Sequence, residues 1–198
     1  MHKKVAEDVA GGNKKLSTLE IGAGILNQLQ YEPAQEAYDI IEPSKEMLGG
    51  APFIKNIRKA YCDINEINNE TYDRITSIAT FEHIMDLPVV VAKAAVLLNE
   101  KSGSLRIAIP NEGTILWKLG TMVTGYEFKK KYGLDYKILM KYEHVNSAKD
   151  IEDVLSYFFE YNKCSVFGIS KSLALYRFYD CRKPITDRAN AFLAKRLQ

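Results

Sequence analysis

The sequence is short of cysteine, of excess charge and of long apolar runs, and each shortage excludes a class of protein. The three cysteines, Cys62, Cys164 and Cys181, are odd in number and form no CxxC pair, which argues against a disulfide framework or a zinc site. The formal net charge of +2 is too close to neutral to indicate a nucleic-acid partner. No apolar run approaches the ~20 residues of a membrane-spanning helix, and the residues after Met1 lack the apolar region of a signal peptide.

These shortages together predict a protein of the cytoplasm. The cysteine usage fits a reducing compartment, and neither a membrane nor a nucleic acid is expected as a partner. Since no cluster of metal ligands is visible in the sequence, a bound metal ion is not expected either.

The chain of 198 residues, 46% of them hydrophobic, suffices for one α/β domain with a full core. Strand-like and helix-like segments alternate from residue 16 to about residue 110, which predicts parallel strands joined by right-handed crossovers. A helix capped by Ser147 follows, and a tight connection then separates two β-like runs, Cys164–Ile169 and Leu173–Tyr179. We therefore predict a Rossmann-like, doubly wound α/β fold with a mostly parallel seven-stranded sheet and a C-terminal antiparallel hairpin.

The predicted domain, residues 1–198, divides into three parts. Residues 16–112 form a cofactor-binding half. Residues 113–146, rich in lysine and aromatic side chains, form an insertion that covers the substrate. Residues 147–198 form the closing helix, the hairpin and a tail.

A glycine turn after the first predicted strand is the most informative signal in the sequence. The strand residues Leu19-Glu20-Ile21 lead into Gly22-Ala23-Gly24, and the second strand ends on Glu42. Rossmann-like folds place an acid that accepts ribose hydroxyls roughly 20 residues beyond such glycines. The spacing therefore predicts an adenosine-containing cofactor at the carboxyl ends of parallel strands, without saying which one.

The third glycine of a dinucleotide motif is missing, because Asn27 occupies its position in GxGxxG. A dinucleotide brings its pyrophosphate close to the helix N-terminus, where bulk is unfavourable. This weakens the hypothesis of a nicotinamide-dependent oxidoreductase, which stays as an alternative.

Five segments in order resemble the motifs of the class I S-adenosylmethionine (SAM)-dependent methyltransferases, in particular their small-molecule methyltransferase-domain group. The resemblance covers residues 16–112, and the order of elements extends it to the end of the chain. The segments are the glycine motif Leu19–Gly24, the acid Glu42, the adenine-site acid Asp63, the stretch Phe81–Leu87 after strand four, and the entry to strand five at Ser102–Pro110.

The resemblance implies SAM as the cofactor and S-adenosylhomocysteine as the product. Other roles are open for four of the implied residues: Glu20 could stabilise the turn, Glu42 and Asp63 could cap the helical segments that follow them, and Phe81 could be part of the core. The implied cofactor-binding residues are Glu20, Gly22, Ala23, Gly24, Asn27, Glu42, Pro43, Asp63, Ile64, Thr80 and Phe81.

The candidates for catalysis are His83 and His144, since an imidazole titrates near pH ~6.5 and can accept a proton from the acceptor. Either histidine could instead be only a structural hydrogen-bonding group. The candidates for substrate binding follow strands four and five or lie in the insertion. They are Glu82, Asn111, Glu112, Trp117, Tyr126 and Tyr142.

The function expected from these residues is methyl transfer from SAM to an oxygen or nitrogen atom of a small polar acceptor. A sugar, a nucleotide-linked sugar or a glycan is one acceptor of this kind, because the lysine excess of residues 113–143 suits an anion. The nicotinamide-dependent oxidoreductase is one alternative to this function, and a non-catalytic SAM-binding partner subunit is another. A homodimer is left open.

Overall fold

The computed structural model describes residues 1–12, 15–33, 37–111, 129–130, 133 and 143–196, and strands and helices alternate along them as predicted. The strands are β1 (Ser17–Ile21), β2 (Ala37–Ile41), β3 (Lys59–Tyr61), β4 (Arg74–Ile78), β5 (Ser104–Pro110), β6 (Phe159–Ser170) and β7 (Leu173–Pro184). The α-helices are α1 (His2–Val5), α2 (Lys45–Gly49), α3 (Leu87–Leu97), α4 (Ala148–Phe158) and α5 (Thr186–Arg196).

Within the described residues the strands form one sheet of seven, in the order β3-β2-β1-β4-β5-β7-β6. The first five in this order are parallel, and β7 runs antiparallel to both β5 and β6. This confirms the predicted fold class. The hairpin strands are longer than predicted, because β7 pairs with β5 along the whole length of β5, from Ser104 opposite Arg182 to Pro110 opposite Tyr176.

The main hydrophobic core lies between the sheet and the helices α3, α4 and α5. Leu19, Ile75 and Ile107 are fully buried on this face of the sheet, and they belong to one cluster with Val91 of α3 and Leu155 of α4. No helix in the described part of the chain has the length and apolar character needed to cross a bilayer.

Local capping explains where two of the helices begin. At the start of α4 the Ser147 hydroxyl accepts a hydrogen bond from the Asp150 amide, and the Asp150 carboxylate accepts one from the Ser147 amide. This confirms the predicted Ser147 cap, and the two reciprocal bonds make it a capping box. The Ser44 hydroxyl accepts from the Met47 amide and caps α2 in the same way.

Two arginines fasten the end of α1 and the residues after it to the opposite face of the sheet. Arg74 of β4 is fully buried and donates to Asp8 at 3.0 Å and to the Val5 carbonyl at 2.8 Å. Arg106 of β5 donates to the same carbonyl at 2.9 Å and to Asp180 of β7 at 3.2 Å. Buried charges are tolerated when they are paired in this way. This face of the sheet is therefore polar although it is shielded from solvent.

Candidate functional site

The order of the strands brings the predicted site residues to one edge of the sheet. Each follows the carboxyl end of a parallel strand, so Asp63, Glu42, Gly22, Thr80 and Asn111 stand in a row after β3, β2, β1, β4 and β5. The strand order reverses between β1 and β4. Open α/β sheets bind their ligands in the crevice at such a switch point.

Gly22 and Gly24 form a turn with positive backbone φ angles of 73° and 53°. A Cβ atom on Gly22 would lie 2.3 Å from the side chain of Thr80, whereas one on Gly24 would meet nothing within 4 Å. The group that approaches the Gly22 backbone is therefore Thr80, across the crevice. Gly24 is required by its conformation alone, because L-residues rarely adopt such an angle. Ala23 lies buried between them.

Glu42 is held rigidly at the end of β2. Its carboxylate accepts hydrogen bonds from the backbone amides of Gly24 at 2.8 Å and Ser44 at 2.9 Å, and the residue is only 7% exposed. An ionised carboxylate has about four acceptor positions. These two amides therefore leave acceptor capacity for a pair of ligand hydroxyls beside the glycine turn.

Glu20 lies beneath this turn and is 2% exposed. Burial raises the pKa of its carboxyl to about 8, although the Tyr38 hydroxyl donates to it at 2.9 Å and so favours the ionised form. At neutral pH the group is mostly protonated. A cation brought into its vicinity would reverse this preference, since an opposite charge favours the carboxylate.

Asn27 and Pro43 are exposed at the same edge. Asn27 begins a short 3₁₀ helix, Asn27–Tyr31, in place of a full helix, and Leu26 before it has a positive φ of 65°. Pro33 stands just beyond this turn, as expected from the restriction that proline places on helices. The cofactor roles of Asn27 and Pro43 stay predictions.

Asp63 takes the capping role that the sequence left open. Its carboxylate accepts from the backbone amide of Asn65 at 2.7 Å and caps the 3₁₀ turn Ile64–Glu66. Asp63 is exposed and Ile64 is buried. A contact of Asp63 with an adenine amino group stays a prediction.

Phe81 is 0% exposed and belongs to the main core cluster. This placement favours the core role over stacking on a ligand. The reason is the 3₁₀ turn Phe81–His83 after β4. It leaves Thr80 at the crevice and places the Phe81 side chain in the core between the sheet and the helices.

Glu82, His83 and His144 lie together, although His144 is far from the other two in the sequence. The rings of His83 and His144 meet edge to face with their centres 4.5 Å apart. Nε2 of His83 is 4.0 Å from the Glu82 carboxylate, and its Nδ1 is 3.0 Å from the carbonyl oxygen of Glu143. The two candidate bases thus share one site beside the buried carboxylate of Glu82.

A backbone clamp fixes this contact. The Glu82 carbonyl accepts from the amides of Val145 at 2.9 Å and Asn146 at 3.1 Å. The Asn146 side chain donates to the carbonyls of Phe81 at 2.9 Å and Ile84 at 2.6 Å. No sequence pattern points to Asn146, because its partners are carbonyl groups that any residue type supplies.

Asn111 is fully buried and bonded to the hairpin. Its side-chain amide donates to the carbonyls of Lys171 at 2.6 Å and Ala174 at 3.0 Å, while its oxygen accepts from Arg177 at 2.6 Å. These bonds indicate an anchor for the hairpin turn rather than a substrate contact. The other predicted substrate residues, Glu112, Trp117, Tyr126 and Tyr142, lie outside the described residues.

An apolar cavity of about 200 Å³ lies away from this row of residues. Its lining comes from α1, β5 and the hairpin and includes Met1, Ala108, Phe167, Tyr176 and Phe178. None of the predicted site residues lines this cavity; those that the structure describes lie at the carboxyl edge of the sheet.

Comparison with solved structures assigns the fold. A SAM-dependent methyltransferase, possible histamine N-methyltransferase, from Thermotoga maritima superposes with a TM-score of 0.62 at 15% identity, over 92% of this chain and 87% of that one. N-methyltransferase NodS from Bradyrhizobium japonicum, in complex with S-adenosylhomocysteine, gives 0.60 at 14% over 91% and 85%. Phosphoethanolamine N-methyltransferase 2 from Haemonchus contortus, in complex with SAM, gives 0.60 at 14% over 92% of this chain and 52% of that one.

The protein therefore has the fold of the class I SAM-dependent methyltransferases. No protein-family model and no curated protein matches the sequence.

Proposed function

We propose that this protein is a SAM-dependent methyltransferase that acts on an oxygen or nitrogen atom of a small polar acceptor. The observation that carries the proposal is the placement of Glu42, a buried carboxylate fixed by the Gly24 and Ser44 amides at the edge of the switch-point crevice. The fold shared with solved methyltransferases supports it. The predicted cytoplasmic location and the homodimer stay proposals as well.

The residues at the crevice suit the two ends of SAM. Glu42 has acceptor positions for ribose hydroxyls. The buried carboxyl of Glu20 would gain from an ammonium group nearby, which would lower its raised pKa and restore its charge. Asp63 and the exposed Asn27 offer further polar groups on either side of these two.

When bound, SAM supplies a methyl group that its sulfonium has already activated. The chain's main task is therefore to hold the acceptor in line, and alignment of this kind can supply about 7–11 kcal/mol. The second task is to accept a proton from the acceptor, for which we propose His83 and His144 beside Glu82. General-base catalysis typically contributes about 10²–10⁴-fold.

The class of acceptor is proposed from two sources. Two of the solved proteins of this fold are named as acting on phosphoethanolamine and, as a possible activity, on histamine, which are small amines. The lysine-rich residues 113–143 favour an acceptor with negative charge. A sugar or nucleotide-linked sugar stays one example within the wider class of small polar acceptors.

The strand order argues against the nicotinamide-dependent oxidoreductase. Dinucleotide-binding folds continue with parallel strands in the order 3-2-1-4-5-6, whereas here β7 is antiparallel and separates β6 from β5. Asn27 in the third-glycine position points the same way.

Calorimetric titration of the full chain with SAM, S-adenosylhomocysteine and NADH tests the proposal. We expect micromolar binding of both sulfur compounds and no binding of NADH. Tight NADH binding without SAM binding would overturn it. A chain that binds SAM but yields no S-adenosylhomocysteine with a panel of hydroxyl and amine acceptors would instead be the non-catalytic partner subunit.

A further inference from the structure

We propose that Glu82, His83 and His144 form a binding site for a divalent transition-metal ion beside the cofactor crevice. The site itself follows from the described side chains. Its role in the reaction rests on the proposed function. With an ion bound, the ion would activate the acceptor, and this replaces direct proton transfer to a histidine.

The three side chains converge on one point. One ligand atom from each, a ring nitrogen of either histidine and a carboxylate oxygen, lies within 4.8 Å of the others. Ligands bound to a common ion at about 2.0–2.2 Å lie roughly 3–4 Å apart. Small side-chain rotations therefore suffice to close the set around an ion, and Nε2 of His83 already stands 4.0 Å from Glu82.

The tautomer of His83 suits a ligand. Its Nδ1 lies 3.0 Å from the Glu143 carbonyl oxygen, and a carbonyl only accepts hydrogen bonds. Nδ1 therefore carries the proton, so that in the neutral ring the lone pair is on Nε2, the atom nearest to Glu82. Metal-ligating histidines are oriented in this way, by donating the other ring N–H to a carbonyl or carboxylate.

The protein holds the two parts of the site together before any ion binds. The amides of Val145 and Asn146 donate to the Glu82 carbonyl, and the Asn146 side chain binds the turn on either side of Glu82. The ligand from the segment after residue 142 is thus fixed to the ligands of the turn after β4. Such preorganisation is what a metal site needs from its supporting contacts.

The donor set selects the class of ion. Two imidazole nitrogens and one carboxylate oxygen suit Mn²⁺, Fe²⁺, Co²⁺ or Zn²⁺ better than Mg²⁺ or Ca²⁺. Three protein ligands leave positions open for the acceptor. A cation there lowers the pKa of an acceptor hydroxyl. The acceptor hydroxyl would then release its proton to solvent as its oxygen bonds to the methyl carbon of SAM. The bond between that carbon and the sulfur would break, and the sulfur would keep the electron pair.

The sequence prediction of no bound metal considered only neighbouring residues. The ligands here come from two segments that the fold joins, which is why spacing within either segment gave no signal.

Titration of the full chain with Co²⁺, followed by visible absorption, tests the site. We expect one Co²⁺ per chain, and at least ~100-fold weaker binding for His83→Ala and His144→Ala, since outer contacts alone are worth about 10–100-fold. The matched control is His2→Ala. His2 is the third histidine of the chain, stacks on Tyr31 and should not affect Co²⁺ binding. Binding that survives both ligand substitutions, or that His2→Ala abolishes, overturns the proposal.

A second measurement needs no substitution at the site. In the unsubstituted protein, Mn²⁺ should broaden the NMR signals of two of the three histidine rings, and His2→Ala identifies the ring that stays sharp. Equal broadening of all three, or of His2 alone, contradicts the site.

Calorimetry with S-adenosylhomocysteine separates this inference from the proposed function. Cofactor binding without Co²⁺ binding overturns the metal site and leaves the methyltransferase standing. Co²⁺ binding at the predicted residues without cofactor binding supports the metal site and overturns the proposed function.

Discussion

The carboxylate of Glu42 accepts a hydrogen bond of 2.8 Å from the backbone amide of Gly24, so the acid at the end of β2 and the turn at the end of β1 form one unit. The bond fixes the carboxylate without using all of its acceptor positions. A change at either residue therefore alters the position of the other.

Replacement of Glu42 by Gln should weaken SAM binding by at least ~100-fold, because hydrogen bonds to a charged acceptor are worth about 1.5–3 kcal/mol each. The Gln amide nitrogen also cannot accept from a backbone amide. Calorimetric titration measures the affinity. Glu46→Gln, at an exposed position of α2, is the matched control and should bind normally. Unchanged affinity for Glu42→Gln would remove Glu42 from the site.

Alanine should be far less tolerated at Gly22 than at Gly24. Both residues have positive φ, which costs an L-residue roughly 1–2 kcal/mol. Only at Gly22 does the added Cβ overlap Thr80, at 2.3 Å, and overpacking adds about 1–3 kcal/mol. Urea unfolding should therefore rank Gly24→Ala above Gly22→Ala in stability. Equal losses of stability in the two variants would show that the Thr80 side chain moves aside without an energetic cost.

The stability of the protein should decrease as the pH rises through the range set by Glu20. Its carboxyl ionises near 4.5 in the unfolded chain and near 8 in the folded one. Between these values the folded state holds a proton that the unfolded state has released, so the free energy of unfolding falls by about 1.4 kcal/mol per pH unit for a full proton. Above 8 this contribution is constant.

Glu20→Gln should lack this decrease, because the amide cannot ionise and its oxygen still accepts from Tyr38. Unfolding by urea at a series of pH values from about 5 to about 9 measures the slope. The exposed Glu46→Gln should retain the slope of the unsubstituted protein. Parallel curves for Glu20→Gln and the unsubstituted chain would exclude the raised pKa.

Asn111→Asp should destabilise the protein by about 2–4 kcal/mol. The substitution removes the donors to the Lys171 and Ala174 carbonyls. A buried acceptor left without a partner, as at Ala174, costs about 1–3 kcal/mol, and the carbonyl of the exposed Lys171 costs less. Thermal unfolding measures the loss, with Asn190→Asp on the exposed side of α5 as a control. A normal unfolding temperature combined with lost turnover would restore the substrate role predicted for Asn111.

Local rules were enough for the features that neighbouring residues determine. Alternation of strands and helices, the Ser147 capping box and the spacing from Gly22 to Glu42 each depend on short segments, and each lies in the structure where the sequence predicted it. Even the role of Ser44 as a cap follows from its residue type and position.

Tertiary contacts are the part that the sequence could not supply. The contact of His83 with the Glu143 carbonyl joins residues that are 60 positions apart, and no local sequence pattern predicts such a contact. The burial of Phe81 and the binding of Asn111 to the hairpin turn depend on which layer covers each end of β4 and β5. A polar residue after a strand fits a ligand contact and a structural anchor equally well until its partners are known.

The pairing of Arg74 and Arg106 with residues 5–8 has a consequence for the order in which the molecule assembles. Val5 and Asp8 precede β1 in the chain, but their partners are on β4, on β5 and, through Asp180, on β7. These contacts span most of the sequence, and long-range contacts form late because their loops must close first. The early residues of the chain are thus among the last to be locked. A cut that removed them would take Asp8 from both buried guanidinium groups and leave Arg74 with Glu32 and Arg106 with Asp180 as their remaining carboxylate partners.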